Sequence, residues 1–386
     1  MFSAGIFKKE EKMKKLLFVI HTLGGGGAEK VLVNLVNNLN REKYKITVAA
    51  VFDGGVNKQF LKDDIEYLCL YKKVFRGNRL LFKTLSPESV YKKLVGERKF
   101  DVVVSYLEGI TARIVSGCTD KNTKKVCWIH RELDDSFYAG CFKSKEEADR
   151  IYASYDRIVC VAKGLVENFC SYNGLYKKTL CLYNVNETEP IIRKAKERAD
   201  EEYLSDDAVK ICFVGKIIEN KGVLRLQKAH ERLCAEKIEH RFVLIGTGPL
   251  REKIEFELSS KGLEKDFVFA GYQNNPYRIM SRCDIFALPS YFEGFSTATT
   301  EALILKKPCV VTKCSGMTEL LGEKNEYGIV AEDEEEFYSA LKRMITDVAF
   351  RKKYELAAAE RGKDFSMKKA IEAHEKFFDE LTEEKG

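Results

Sequence analysis

Short continuous apolar runs alternate with segments of helical period along almost the whole chain, and this alternation limits the possible folds. Residues 16–21 (LLFVIH) and 101–107 (DVVVSYL) are typical of these runs. A strand inside a parallel sheet has this composition, because helices cover both faces of the sheet and neither face meets water. The sequence therefore predicts an α/β protein whose parallel sheets have helices on both sides.

The alternation pauses at residues 186–208, where the chain is highly charged and has almost no strand character. The length of 386 residues also suits two domains. We therefore predict two doubly wound, Rossmann-like domains that face each other across a cleft, at 1–185 and 186–365. Residues 366–386 are predicted to form an amphipathic helix, and the N-terminal domain is one surface on which its apolar face can be buried. Residues 1–12 are a charged extension to which we assign no role.

Composition excludes several classes of protein. The chain has no run of about 18 apolar residues that could cross a membrane. Its twelve cysteines include no CxxC pair and no Cys/His cluster at the usual zinc spacing. These features predict a cytoplasmic protein with reduced cysteines.

Positive charge is concentrated in the first half of the chain. Residues 1–186 have 32 Lys and Arg against 21 Asp and Glu, whereas the net charge of the whole chain is only +6. Within this half, the segment 71–99 combines nine Lys and Arg with Phe and Leu side chains. The segment is either a solvated surface or a peripheral contact with an anionic membrane. A basic nucleic-acid-binding protein is the rival function, but no matching motif supports it, so we expect no nucleic acid as partner.

Four glycines, Gly24–Gly27, join the first apolar run to a helical stripe that starts near Ala28. Backbone amides without side chains can approach an anion at the N-terminus of a helix. The spacing matches neither the dinucleotide-binding fingerprint nor the P-loop. The loop is therefore either a flexible turn or part of an anion site.

A second strand end carries two lysines. In VGKIIENKG (214–222), Lys216 and Lys221 follow the strand and could neutralise a diphosphate, although isolated lysines are usually solvated. The next strand ends in LIGTGPL (244–250), whose Gly246 and Gly248 are equally typical of an ordinary turn.

The segment 288–303 (LPSYFEGFSTATTEAL) is the most informative part of the chain. Glu293 lies in a loop after a predicted strand, and Glu301 lies on a helix predicted to begin near Ser296. The amides of residues 294–296 and the helix dipole suit phosphate or sugar oxygens, whereas carboxylates accept hydrogen bonds from hydroxyl groups. The expected ligand carries both groups, as a nucleotide sugar does. The alternative is an ordinary helix with surface glutamates.

His130 ends the run KVCWIH in the first half, where the carboxyl end of a strand would face the cleft. An imidazole there suits hydrogen bonding or proton transfer near neutral pH. A histidine in this position is equally compatible with a structural role.

At these positions the chain resembles the glycosyltransferases of family four, retaining enzymes with the GT-B fold, over residues 14–365. The most specific motif of that family, Glu-x7-Glu, reads E-GFSTATT-E from Glu293 to Glu301. The other motifs follow in the family's order: GGGGAEK, WIH, VGK with NKG, and LIGTGPL. The resemblance implies that the N-terminal domain binds the acceptor and the C-terminal domain binds the nucleotide sugar.

The resemblance also implies roles for the matched residues. Glu301 would bind the ribose hydroxyls, Glu293 the donor sugar, and Tyr272 would lie near the base. The implied catalytic residues are His130, Glu293, Lys216 and Lys221. The implied donor-binding residues are Gly25, Gly26, Gly27, Gly215, Lys216, Lys221, Gly246, Gly248, Tyr272, Glu293, Gly294, Phe295, Ser296, Thr297 and Glu301.

Two positions depart from the family's pattern. Lys216 stands where the family usually has Arg, which keeps the charge but loses the bidentate fork. Ser296 stands where the family often has Gly. Both departures affect the expected identity of the donor more than the class of reaction.

The expected reaction is metal-independent transfer of a hexose or N-acetylhexosamine from a nucleoside-diphosphate sugar, with a UDP-sugar as the expected donor. The resemblance implies a saccharide or lipid-linked saccharide acceptor in the synthesis of a capsule or other surface polysaccharide. No Asp-x-Asp occurs in the chain, so we expect the lysines to replace a metal and no cofactor to be needed. A GT-B-type nucleotide-sugar epimerase or hydrolase, which needs no acceptor, is the enzymatic alternative.

Overall fold

The computed structural model of the chain describes residues 13–383. The proposed extension at 1–12 lies outside the described residues. No helix in the described part of the chain is long and apolar enough to span a bilayer.

Within residues 13–383, seven parallel strands form the first sheet. They are β1 (Lys14–Ile20), β2 (Tyr44–Phe52), β3 (Glu66–Tyr71), β4 (Val102–Ser105), β5 (Lys124–Ile129), β6 (Arg157–Cys160) and β7 (Thr179–Cys181). Their spatial order is β3-β2-β1-β4-β5-β6-β7. Residues 16–20 of the central strand β1 are completely buried, which explains their continuous apolar sequence.

Six further parallel strands in the described part of the chain form the second sheet. They are β8 (Lys210–Val214), β9 (Arg241–Ile245), β10 (Phe267–Gly271), β11 (Ile285–Leu288), β12 (Cys309–Thr312) and β13 (Ile329–Ala331). Their spatial order is β10-β9-β8-β11-β12-β13. The prediction of two doubly wound parallel sheets is confirmed.

Helices connect and cover the strands, because parallel neighbours need crossover connections. In the first part of the chain they are α1 (Gly27–Asn38), α2 (Asn78–Thr84), α3 (Pro87–Val95), α4 (Ile110–Val115), α5 (Asp135–Cys141), α6 (Lys145–Ala153), α7 (Lys163–Asn173) and α8 (Thr188–Ala195). In the second part they are α9 (Val223–Ala235), α10 (Arg251–Ser260), α11 (Tyr277–Met280), α12 (Thr297–Ile304), α13 (Met317–Leu321), α14 (Glu334–Thr346), α15 (Val348–Gly362) and α16 (Met367–Glu383).

The charged stretch at 186–208 contains helix α8 and packs on the second half of the chain. The Ser281 hydroxyl donates to the carbonyl of Ala195 at 2.9 Å, and the Asn275 amide donates to the carbonyl of Lys194 at 2.9 Å. Ile191 of α8 is 2% exposed. The stretch is therefore more ordered than its charged sequence suggests.

The strand order reverses at one point in each sheet, between β1 and β4 in the first and between β8 and β11 in the second. Connections leave the carboxyl ends of adjacent strands in opposite directions there, which opens a crevice. The glycine loop at 24–27 follows β1, the lysine segment at 215–221 follows β8, and the Glu293 loop follows β11. The strongest sequence motifs therefore lie at the two switch points.

Helix α16 returns from the second half of the chain to the first sheet. The Phe378 ring contacts the Phe18 ring of β1 edge-on, with centroids 5.9 Å apart. The Tyr44 hydroxyl of β2 donates to Asp379 Oδ1 at 2.6 Å, and Lys14 Nζ lies 2.9 Å from the same oxygen. The last helix thus completes the packing of the first sheet.

Candidate functional site

The Glu-x7-Glu segment connects β11 to α12. The hydroxyl of Ser296 caps α12 by accepting the backbone N–H of Thr299 at 3.2 Å. The amides of residues 294–296 therefore immediately precede a capped helix. Glu301 lies in the helix and is only 4% exposed.

Glu293 is held between a serine and a lysine. Lys221 Nζ lies 2.5 Å from Glu293 Oε1, and the Ser290 hydroxyl donates to the same oxygen at 2.8 Å. Lys221 follows β8 and Glu293 follows β11, so the two neighbouring strands bring this pair together. A cation and a carboxylate predicted separately from the sequence are thus in direct contact.

Lys216 is placed differently. Its side chain is exposed, and no hydrogen bond or ion pair joins it to another residue within 13–383. Its charge nevertheless acts on Glu29 of α1: burial raises the pKa of the Glu29 carboxyl, and Lys216 works against that rise. Lys216 therefore lies close to the part of the cleft that is formed by the first half of the chain.

Glu301 contacts a residue from the opposite half of the chain. The ammonium group of Lys30, in the first turn of α1, forms a salt bridge with Glu301 Oε1 and a hydrogen bond with the Tyr277 hydroxyl. The Tyr277 hydroxyl itself lies 3.1 Å from Glu301 Oε1. Burial alone would lower the pKa of Lys30, but the Glu301 carboxylate reverses the effect and raises it.

Sequence reasoning missed both Lys30 and Tyr277. Lys30 had a signal, because it follows the glycine loop in GGGGAEK and lies on the first turn of the helix. Tyr277 had none, because α11 is only four residues long and carries no motif.

The glycine loop meets the amino end of α12 across the cleft. A Cβ atom on Gly27 would lie 3.0 Å from Thr297 Oγ1, which is tighter than an ordinary contact. Gly26 caps α1 through its backbone, and a Cβ atom there would clash with the Glu29 carboxylate. Gly26 thus lies beside a carboxylate of the helix that it caps, and Gly27 lies beside the predicted donor site. Gly25 instead lies next to Val56, where a Cβ atom would be 3.4 Å from Val56 Cγ2.

His130 lies at the point where the two halves touch. A Cβ atom on Gly294 would lie 2.0 Å from the His130 carbonyl oxygen, so only glycine permits this approach. The His130 backbone N–H donates to Glu108 Oε2 at 3.0 Å. The His130 ring packs against Tyr106, with centroids 4.9 Å apart.

The imidazole of His130 is neutral over the physiological range. Burial lowers its pKa to about 3, and its buried Nε2 atom has no hydrogen-bond partner among the described residues. Burial also raises the pKa of the neighbouring Glu108 carboxyl. A buried polar nitrogen without a partner costs free energy, which makes Nε2 a position where a ligand hydroxyl can bind.

Other predicted residues have evident packing functions. A Cβ atom on Gly246 would lie 1.9 Å from the Gly215 carbonyl oxygen, and one on Gly248 would lie 2.3 Å from that of Ile217. Phe295 is 6% exposed, and its ring packs on Tyr183 with centroids 5.0 Å apart. The loops around the lysines and carboxylates are therefore shaped by close packing at Gly215, Gly246, Gly248 and Phe295.

Tyr272 is the outlying member of the predicted set. It follows β10, the edge strand of the second sheet, and is 53% exposed. Within residues 13–383, Tyr272 forms no hydrogen bond with any other predicted site residue.

A cavity of about 590 Å³ extends from this site between the two halves of the chain. Glu132 and Gly164 line it from the first half, and Cys314, Ser315 and Gly316 line it from the second. The Ser315 hydroxyl donates to the Glu132 carboxylate, and a Cβ atom on Gly316 would lie 2.4 Å from the Gly294 carbonyl oxygen. Sequence reasoning missed these lining residues, although Ser315 and Gly316 closely follow β12.

Comparison with known proteins is consistent with this geometry. A family model described as glycosyl transferases group 1 matches residues 208–347, which include both glutamates and both lysines. A Campylobacter jejuni protein is 28% identical over 377 residues, covering 92% of this chain and 96% of the relative. Its name is N-acetylgalactosamine-N,N'-diacetylbacillosaminyl-diphospho-undecaprenol 4-alpha-N-acetylgalactosaminyltransferase.

A second Campylobacter jejuni relative, an alpha-1,4-N-acetyl-D-galactosaminyltransferase acting on a diphospho-undecaprenol-linked saccharide, is 25% identical and covers 92% of this chain and 95% of its own length. Among solved structures, HepE from Anabaena in complex with UDP has a TM-score of 0.74 at 16% identity, covering 95% of this chain and 100% of HepE. Sheet topology, motif order and these similarities agree. The chain has the GT-B fold, and the matched family model and relatives support a glycosyltransferase of the family-four type.

Proposed function

We propose that this glycosyltransferase transfers a hexose or N-acetylhexosamine from a UDP-sugar to a lipid-linked saccharide, with retention at the anomeric carbon and without a metal. The observation that carries the proposal is the contact between Lys221 and Glu293 at the β8/β11 switch point. This pair places a cation for phosphate beside a carboxylate for hydroxyl groups. The named relatives act on diphospho-undecaprenol-linked saccharides, and HepE binds UDP, which supports the proposed substrates.

The charge that develops during the proposed reaction determines which groups the site needs. Breaking the bond between the anomeric carbon and the phosphate oxygen leaves negative charge on the UDP leaving group. Lys221, the exposed ammonium of Lys216 and the amides of residues 294–296 are the groups proposed to stabilise that charge. Fixed donors of this kind are usually the largest catalytic contribution, and removal of one costs about 100- to 1,000-fold in rate.

The carboxylates have separate proposed roles. Glu293 binds hydroxyl groups of the donor sugar, and Glu301 binds the ribose hydroxyls once they displace the Lys30 ammonium. His130 presents its neutral Nε2 atom to a further sugar hydroxyl. Tyr272 is proposed to contact the uracil base from the edge of the sheet.

Retention follows a proposed same-face attack. The acceptor hydroxyl oxygen forms the new bond to the anomeric carbon while the bond to the β-phosphate oxygen breaks, and the acceptor's proton passes to that phosphate. The contacts of Gly294 with His130 and of Gly27 with Thr297 close the two halves around this point. Closure excludes water and so favours transfer over hydrolysis.

Because the proposed acceptor is linked to a lipid, we propose that the enzyme works at the cytoplasmic face of a membrane. Val74 and Leu80 are 60% and 68% exposed in the basic segment 71–99. Apolar side chains among lysines and arginines suit an anionic bilayer surface, since both burial and charge attraction contribute.

A two-stage experiment tests the proposal. Thermal shifts with UDP, GDP and ADP should show stabilisation by UDP, since a ligand that binds only the folded state raises its stability. Mass spectrometry should then detect an extended product when UDP-sugars and a diphosphoprenyl-linked saccharide are both present. Glu301→Gln should lower kcat/KM for the donor, whereas Glu252→Gln, an exposed change on α10, should not.

Three results would contradict the proposal. Free sugar formed at the same rate with and without acceptor would identify a hydrolase, and an isomerised donor would identify an epimerase. Transfer that stops with a chelator and returns with a divalent cation would disprove metal independence.

A further inference from the structure

Two histidines and a cysteine meet at the end of the second sheet that lies away from the cleft. His230 and Cys234 are four residues apart on α9 and therefore share one face of the helix. His240 immediately precedes β9, whose other end leads to Gly246 and the cleft. Both histidines are buried, and Cys234 is partly exposed.

The hydrogen bonds of the two rings fix their protons. His230 Nε2 lies 2.8 Å from the carbonyl oxygen of Leu263, and His240 Nδ1 lies 2.6 Å from that of Ile238. A carbonyl oxygen only accepts hydrogen bonds, so each of these nitrogens carries the ring proton. The remaining nitrogens, His230 Nδ1 and His240 Nε2, face each other at 2.8 Å with both lone pairs inward.

Two lone pairs that face each other at this distance repel, so a positively charged species must lie between them. One candidate is a proton, which would make the pair cationic. The other is a metal ion, for which neutral imidazole nitrogens are the commonest ligands.

A third donor distinguishes the two candidates. Cys234 Sγ lies 3.8 Å from His230 Nδ1, and within residues 13–383 these three side chains are the one group whose ligand atoms converge, all within 4.8 Å of one another. A proton shared between the two imidazole rings needs no third ligand, so it does not explain the position of the thiol. A borderline or soft cation does, because it takes both nitrogen and sulfur ligands.

We propose that His230 Nδ1, His240 Nε2 and Cys234 Sγ form a structural site for Zn²⁺, with water as the fourth ligand on the exposed side of Cys234. Zn–N bonds of about 2.0–2.1 Å at a tetrahedral angle put the nitrogens about 3.3 Å apart, so the rings separate by about 0.5 Å on binding. The carbonyls of Leu263 and Ile238 then act as the outer-shell acceptors that orient metal-bound histidines.

Charge balance is favourable at this position. Binding displaces the thiol proton of Cys234 to solvent, which leaves one positive charge on the zinc–thiolate unit. Asp266 lies close enough to all three ligands to act on them electrostatically, and Glu231 acts on His230 and Cys234. The ion would join the end of α9 to the start of β9.

The spacing His-x3-Cys-x5-His is not a known zinc motif, so the site cannot be identified from the sequence pattern alone. The turn between helix and strand creates the site. Its Lys237 has a positive φ of 58°, a conformation that returns the chain sharply towards α9.

Metal titration of the full chain tests the proposal. Protein stripped with a chelator should bind one equivalent of Zn²⁺, and excess Zn²⁺ should raise its Tm by about 5–10 °C. Co²⁺ in place of Zn²⁺ should give a tetrahedral spectrum with a thiolate-to-cobalt charge-transfer band. Glycosyl transfer at low temperature should be unaffected, because the site lies at the opposite end of the sheet.

Three variants locate the site. Cys234→Ser should abolish the charge-transfer band, whereas Cys69→Ser, a partly buried cysteine in β3, should retain it. His240→Gln should weaken Zn²⁺ binding by at least about tenfold, since loss of even outer-shell partners costs about 10- to 100-fold.

Measurements on the unmodified protein are sufficient to overturn the proposal, even if the variants do not fold. A Tm that is the same with Zn²⁺ and with chelator, together with no stoichiometric metal, would overturn it. So would a charge-transfer band that survives Cys234→Ser in a folded protein.

Discussion

The Lys30 ammonium on α1 of the first half forms a salt bridge with the Glu301 carboxylate on α12 of the second half. Glu301 is the second glutamate of the Glu-x7-Glu motif, so the residue proposed to bind ribose is already engaged across the cleft. In this state the protein holds itself closed through the same carboxylate that its proposed donor needs. If Glu301 binds ribose as proposed, donor binding and domain contact compete for one group.

Replacing Lys30 tests this competition. In Lys30→Met the buried Glu301 loses its cationic partner, so the unliganded protein should be less stable by about 1–2 kcal/mol, because the lysine is 36% exposed and partly screened. For a chain of 386 residues this corresponds to a Tm lower by about 1–3 °C. The stabilisation produced by UDP should be larger than in the unmodified enzyme, since ribose hydroxyls then meet an unpaired carboxylate.

The matched control is Lys45→Met, which removes an exposed lysine from β2. Differential scanning fluorimetry with and without UDP gives both quantities. If Lys30→Met and Lys45→Met behave alike in the two conditions, the salt bridge is not an obstacle to donor binding.

The Lys221 ammonium should contribute to transition-state stabilisation. Lys221→Ala removes one fixed cation beside the proposed diphosphate, and we expect kcat to fall by about 100- to 1,000-fold. Steady-state kinetics with saturating donor and acceptor measures the loss. Lys228→Ala, on the solvent side of α9 and paired with Glu334, should keep full activity. Full turnover in Lys221→Ala would remove Lys221 from the site.

Acid sensitivity should arise in part from His374 of α16. The ring is 2% exposed and stacks on Trp128 at 6.0 Å, and burial lowers its pKa from 6.5 to about 4. Between these values the unfolded chain binds a proton that the folded protein does not. The free energy of unfolding should therefore fall as pH decreases from 6.5 towards 4, by up to about 1.4 kcal/mol per pH unit for this group.

His374→Phe keeps an aromatic ring on Trp128 and removes the titrating group. Urea unfolding should then show a shallower loss of stability between pH 6.5 and 4.5, with the same slope as the unmodified protein above pH 7. An unchanged slope in the acidic range would show that His374 does not contribute to it.

Membrane binding should depend on the exposed apolar side chains of segment 71–99. We expect the protein to float with liposomes that contain anionic lipid at low salt, and Leu80→Glu to reduce the bound fraction several-fold. Leu356→Glu is the control, because Leu356 is similarly exposed, at 64% against 68% for Leu80, but lies on α15. Equal binding by the two variants, or no binding at low salt, would reject this surface.

The fold was predictable wherever burial on both faces made a strand continuously apolar. The strands missed by the sequence pattern lie at edges of the sheets: β3, whose residues 66–71 are all half-buried, and β13, which has only three residues. At an edge the apolar signal is weak, because one side of the strand faces solvent or a loop. The segment 186–208 was also more ordered than its charge suggested, since α8 buries one side on the second half.

The candidate site was predictable in its motifs and not in its pairings. Glu293 and Lys221 are 72 positions apart, and only the adjacency of β8 and β11 brings them together. Lys30 pairs with Glu301 only after the two halves meet, and Tyr277 reaches Glu301 from another helix of the same half. No local pattern encodes either contact. The same reasoning applies to His230 and His240, whose facing nitrogens depend on one tight turn.

The return of α16 to the first sheet has a consequence for biosynthesis. Phe18, Tyr44 and Trp128 are synthesised well before their aromatic partners Phe377 and Phe378, which lie more than 240 positions later in the chain. During translation the first sheet therefore emerges with an exposed apolar surface. Chaperones would bind this surface, or nascent chains would aggregate through it. A premature stop immediately before α16 would leave the strands of both sheets in place and still deprive the first sheet of its cover.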